Sequence, residues 1–162
     1  MQKQLVGRNS DTGTIETILV DMTAEEITAF EDERTPSLAD AQAARTAAVW
    51  AELQSRLEVA SVAVTTAAGT YSYGLDPVTQ DNLAKAVLGV LIGTTPDPRA
   101  WTPRGETLPI SISHAEVQAI AAAVGLAYEA HMQAYLAHKA AIRALTTVAA
   151  VEAYDIADGW PA

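Results

Sequence analysis

The chain is expected to adopt an α+β fold, helix-rich, with small β hairpins, a long C-terminal helix and a short terminal helix. Three features of the sequence lead there. Short β-favouring runs come in pairs divided by turn formers, a Ser, Thr or Asp stands ahead of each helical stretch, and no proline interrupts residues 115 to 145.

Gln4-Leu5-Val6 and Thr14 to Val20 make the first pair, separated by Asn9-Ser10-Asp11-Thr12-Gly13. That spacing predicts a hairpin. Thr23 stands three residues before Glu26, the arrangement of a capping box, so a short helix is expected through Phe30 to about Glu33, with Pro36 ending it. Residues 1–35 are therefore expected to form a small N-terminal β module with a short helix. Residues 36–162 are expected to form a helical domain with two further hairpins.

Ser37 caps a helix expected from Leu38 to about Leu57, with Val49, Trp50, Leu53 and Leu57 at spacings of three and four. Its first half is nearly all Ala. Such a segment either packs very close to a neighbour or projects as a connecting rod. Val62, Val64 and Thr66 then alternate on one face, and Gly69 precedes Thr70-Tyr71-Ser72-Tyr73, which predicts a second hairpin. Asp76-Pro77 opens the next helix, with a buried stripe expected at Leu83, Val87, Leu88 and Leu91 and an end at Gly93.

Trp101 to Ile112 reads as a third hairpin turning at Arg104-Gly105. Ser113 and Glu116 form another capping box. The helix it opens, Ala115 to Leu145, would be on the order of 45 Å long at 1.5 Å per residue. Thr147 caps a last short helix, Val148 to Tyr154, before the closing Asp155-Ile156-Ala157-Asp158-Gly159-Trp160-Pro161-Ala162.

Composition narrows the function. Hydrophobic residues are 49% of the chain, but Ala dominates them and Phe occurs once, so the core packs closely and is thin in bulk. Thin cores in elongated helical proteins are often completed by partner subunits. Ten Lys and Arg against 20 Asp and Glu give a net charge of −10, with the basic residues scattered, which disfavours nucleic acid. Cysteine is absent, excluding disulfides and thiol chemistry. Met1-Gln2-Lys3-Gln4-Leu5 starts no apolar run of signal length, and charged or polar residues interrupt the Ala-rich segments, so a soluble, unsecreted chain without membrane insertion is expected.

No catalytic set emerges. The three histidines, His114, His131 and His138, fall on one heptad-like stripe with Val117, Ala121, Val124, Tyr128, Tyr135, Ile142 and Leu145. They are seventeen and seven residues apart, too far for one helix to close a metal site. Two readings stand. Either His131 and His138 form rings with copies of themselves about a symmetry axis, or Tyr128, His131, Tyr135 and His138 border a helix packed on other helices. Glu25-Glu26 and Glu31-Asp32-Glu33 read as a solvated face, Asp76 as a cap, and neither Gly-containing turn leads into a helix as a phosphate loop does.

From about Ala41 to Ala162 the chain resembles a family of phage and prophage proteins, the domain of unknown function DUF4376. The matching pieces run in order: "TYSYGLD", "PVTQDNLAKAVLGVL", "WTPRGETLPIS", "SHAEVQAIAAAVGLAYEAHMQAYLAHKAAIRAL" and "TTVAAVEAYDIADGWP", the last closing on Trp160-Pro161. The family occurs in tail-fibre and tail-tip contexts. The resemblance implies a non-enzymatic structural component of a bacteriophage tail, made in the host cytoplasm and carried in the virion, with other tail proteins as partners. The alternative is a tail-fibre assembly chaperone absent from the finished particle. A homotrimer without cofactor is expected, with Trp101, Tyr128, His131, Tyr135, His138, Ile142 and Trp160 as structural or interface residues. An envelope-degrading hydrolase would need convergent carboxylates and an aromatic groove, and the sequence shows neither. Trp160 is expected to fold back onto the domain near the Trp101 hairpin and hold the C-terminus, or else to meet a neighbouring subunit.

Overall fold

The computed structural model describes residues 2–8, 15–27 and 36–161. Strand β1 (Gln2–Arg8) pairs antiparallel with β2 (Ile15–Asp21), from Gln2 opposite Asp21 to Arg8 opposite Ile15. The hairpin is longer than its two β-favouring runs. The loop joining it and the expected helix end at Phe30 to Glu33 lie outside the described residues. The Thr23 box does close: Glu26 N donates to Thr23 Oγ1 at 3.2 Å and Thr23 N to Glu26 Oε2 at 3.0 Å. Glu26 also pairs with Lys3, tying β1 to this helical start.

Helix α1 (Leu38–Val59) begins at Ser37, whose hydroxyl accepts from Asp40 N. Its Ala-rich half packs close rather than projecting. Ala41 is buried, and the Gln42 amide beside it donates to Leu145 O at 2.9 Å and Ile142 O at 3.3 Å. These carbonyls belong to the end of another helix, where intrahelical donors run out, although Ile142 O also accepts from Leu145 N at 3.2 Å. Further along, Val49, Leu53 and Leu57 are buried, whereas Trp50 lies beside that stripe and stays 45% exposed.

Strands β3 (Ser61–Thr66) and β4 (Gly69–Gly74) pair with Val62 opposite Tyr73 and Val64 opposite Tyr71. Helix α2 (Pro77–Leu91) starts at Asp76, which accepts from Thr79 N at 2.9 Å. The expected buried stripe is corrected here. Leu83 and Ala86 are buried and Val87 and Val90 pack beside them, while Leu88 and Leu91 are 57% and 70% exposed. Alanine at 86 carries the inner face, because a small side chain there lets the helix approach its neighbour closely.

The third hairpin is also shorter than expected. Strands β5 (Arg99–Trp101) and β6 (Ile110–Ile112) share three pairs, and the turn at Pro103 to Glu106 sits inside a longer loop. Pro103 and Pro109 flank that loop and donate no backbone hydrogen, so the ladder stops before reaching the turn.

Helix α3 (His114–Ala144) spans 31 residues behind a complete capping box of Ser113 and Glu116. Helix α4 (Val148–Glu152) is capped by Thr147 and shorter than expected: Ala153 is its C-cap, and Tyr154 N bonds to Val151 O at 3.3 Å in a tighter turn that ends it. One face of α3 organises the core. Val117, Ile120 and Val124 meet Tyr73, Leu83 and Ile112 at one end, and Ile142 meets Ala41, Val49 and Val151 at the other. Each such aliphatic side chain contributes about 2 kcal/mol through burial. Among the described residues, no helix is long and apolar enough to cross a membrane.

Candidate functional site

The stripe on α3 faces the chain's own interior. His131 and His138 are each only 5% exposed, with Val117, Val124 and Ile142 buried along the same line. A ring of copies has no surface to form on there, because α1 and the C-terminal segment already cover these side chains. The ring reading is thereby corrected to the packed-helix one. His131 Nδ1 lies 2.9 Å from Ala127 O, so it must carry its proton and donate. His114, at the first position of α3, instead anchors the loop between α2 and β5, its Nε2 lying 3.0 Å from Thr95 O while its backbone N–H donates to Asp97 Oδ1 at 3.2 Å. Among the described residues, no three His, Cys, Asp or Glu side chains converge as metal ligands.

The residues that do converge near the C-terminus make a latch. His138 Nδ1 is 2.9 Å from the Tyr154 hydroxyl, and the Trp160 indole lies 5.0 Å from the His138 ring at 31°. Trp160 Nε1 donates to Ile156 O at 2.8 Å, closing the segment on itself. Gly159 takes φ +79° in this bend, a conformation that glycine adopts without strain. From α1, Arg56 stands 5.3 Å over the indole and donates to Ala157 O at 3.0 Å, while Arg45 donates to Tyr154 O. Tyr135 meets Trp50 edge to face at 5.3 Å, and Tyr128 packs in the same cluster as Leu53 and Leu57. Trp160 thus sits beside α1 and α3. Trp160 packs against two core clusters and Trp101 against a third, so the expected neighbourhood of the two tryptophans is corrected.

Around Trp101 the chain builds a cleft of about 680 Å³, lined by Tyr73 and Gly74 from β4, Thr79, Asn82 and Lys85 from α2, and Arg99 to Thr102 with Arg104. The β5–β6 loop is held across the end of β4. Arg104 N donates to Ser72 O at 2.9 Å, and its guanidinium donates to Ala60 O at 2.9 Å and Glu58 O at 2.6 Å. A Cβ at Gly74 would collide with Asp76 Oδ2 and come within 2.9 Å of Arg104 Nη1, so only glycine leaves room for this approach. Burial pushes the Asp76 carboxyl up, but hydrogen bonds from Thr79 and its own backbone, with the nearby Arg104 charge, hold it below its ordinary range.

Electrostatics elsewhere serve the fold. Glu116 is lowered by hydrogen bonds from Ser113 N, Ala67 N and Ser113 Oγ, which outweigh the opposing effect of burial. Its Oε1 accepts from Ala67 N at 2.6 Å, so the same carboxylate caps α3 and fastens the β3–β4 turn. Burial raises the Tyr73 hydroxyl, helped by the Glu116 charge and by Tyr71, and that hydroxyl has no hydrogen-bond partner among the described residues.

Composition placed the basic residues as scattered, and the cleft is what that reading missed. Lys85, Arg99 and Arg104 lie on a helix, a strand and a loop, and only the folding of the β5–β6 loop onto β4 gathers them.

A family model described as a domain of unknown function, DUF4376, matches residues 40–158. No curated protein and no solved structure matches the chain. The match spans well over half of the sequence, and the chain belongs to the DUF4376 family.

Proposed function

We propose that this DUF4376 member is a non-enzymatic structural component of a bacteriophage tail, in the tip, baseplate or fibre, assembled as a homotrimer among other tail proteins. It would be made in the host cytoplasm and reside in the virion. The likeness of residues 41–162 to proteins of tail-fibre and tail-tip contexts supports this reading. The structural observation that carries it is an apolar face left outside the fold. Leu88, Leu91 and Ile92 lie three and four residues apart on one side of the α2 end and are 57%, 70% and 64% exposed. Contiguous apolar surface of this kind marks a contact with another chain. A second copy of the same chain is the occupant proposed here.

The buried His stripe bears on how copies would meet. A coiled coil along that stripe would have to unpack α1, so association must use outward faces instead. Sedimentation of the purified chain tests the trimer: a trimer that Leu91→Glu reduces to monomers supports it, and a monomer at all concentrations contradicts it. Mass spectrometry of purified particles separates the structural role from an assembly chaperone. The structural protein is present at fixed stoichiometry; the chaperone is made in the infected cell and absent from the particle.

A further inference from the structure

The cleft beside Trp101 is not needed by the assembly reading and has a chemistry of its own. Three of the chain's ten Lys and Arg line it, Lys85, Arg99 and Arg104, and no Asp or Glu is among its lining residues. This is unusual company in a chain of net charge −10.

The three cations differ in what already holds them. Arg104 donates to the carbonyls of Ala60 and Glu58, which fix its position, and the Asp76 carboxylate nearby offsets part of its charge, so it is the least available of the three. Lys85 pairs with Asp81, but both side chains are largely exposed, at 70% and 59%, so that pair is weak and readily exchanged. Arg99 lies 5.2 Å over the Trp101 ring and has no carboxylate partner among the described residues. Its planar fork of N–H donors matches an oxyanion. The Asn82 amide and Thr102 hydroxyl line the same cleft and also make no side-chain hydrogen bond among the described residues.

We propose that this cleft binds a small ligand bearing a carboxylate or phosphate, with Arg99 as the main anion contact, Lys85 as the second, and the Trp101 ring as its apolar wall. The volume of about 680 Å³ suits a small molecule. The chain's overall acidity selects against long polyanions, whose many charges would meet distant carboxylates. For a small anion those carboxylates are screened beyond roughly 8–10 Å at physiological salt, while the cleft's cations act at contact.

The test is a titration of the full chain, followed by amide NMR and calorimetry at low ionic strength, with inorganic phosphate, glucuronate and glucose as probes. Saturable shifts of the amides around residues 74–85 and 99–104 with phosphate or glucuronate, and none with glucose, are expected. Response to phosphate alone identifies phosphate as the recognised group, and response to glucuronate alone identifies carboxylate. Arg99→Met should weaken binding about tenfold, the scale of a lost charge-assisted hydrogen bond. Lys85→Met, at an exposed position, provides the comparison should Arg99→Met fail to fold. The proposal is overturned if neither anion shifts these amides, if glucose shifts them equally, or if the substitutions leave affinity unchanged.

Discussion

The Trp160 indole stacks at 5.0 Å on the ring of His138, sixteen residues before Tyr154, whose hydroxyl lies 2.9 Å from the same imidazole. The segment from Tyr154 to Trp160 therefore packs against the core. Trp160→Ala should remove about 2 kcal/mol, roughly half the cost of deleting a fully buried aromatic, because the indole is only partly enclosed. Calorimetry would show the melting temperature lowered by about 4–8 °C. Unchanged stability would mean that Trp160 serves a neighbouring chain instead.

Ser113 opens the helix that contributes to all three core clusters, and its hydroxyl accepts from Glu116 N at 3.3 Å. Ser113→Ala should cost about 1 kcal/mol, measured by urea unfolding, as expected for loss of an N-cap. No change in the midpoint would show that the Glu116 half of the box suffices.

Asp76 and Glu116 both hold their carboxyls below the ordinary range when folded. A lowered folded value means stability that is fully present above the unfolded value, about 4, and lost as pH falls through the folded one. Urea midpoints should therefore fall between about pH 5 and pH 2. The double variant Asp76→Asn, Glu116→Gln should start lower and fall less steeply; an identical slope would remove these two groups from the acid response.

Gly74→Ala places a methyl against Asp76 and Arg104, two side chains that Thr79, Ala60 and Glu58 hold in place. A loss of about 1–3 kcal/mol is expected, the usual range for overpacking. The amides of residues 102–106 should shift with it. Wild-type stability would show that the β5–β6 loop yields freely.

Much of the fold could be read from local chemistry. Ser37, Thr23, Asp76, Ser113 and Thr147 each announce a helix start because a cap needs only a short side chain and the amide three residues on. What failed depended on distant partners. Leu88 and Leu91 satisfy helical periodicity as well as Val87 and Val90 do, and only the direction from which α3 approaches decides which pair is covered. His131 and His138 likewise share a stripe whose spacing is the same whether a copy or α1 lies across it. The cleft was hidden for a related reason, since Arg104 reaches Glu58 across 46 residues.

The central claim, that this chain is a built-in part of a tail, is tested most directly by an electron cryo-microscopy map of the intact particle. The account predicts density for residues 36–161 at the tail tip, baseplate or fibre, in three copies around an axis, with the apolar face of Leu88, Leu91 and Ile92 covered. A complete map of the particle with no place for this domain would contradict it.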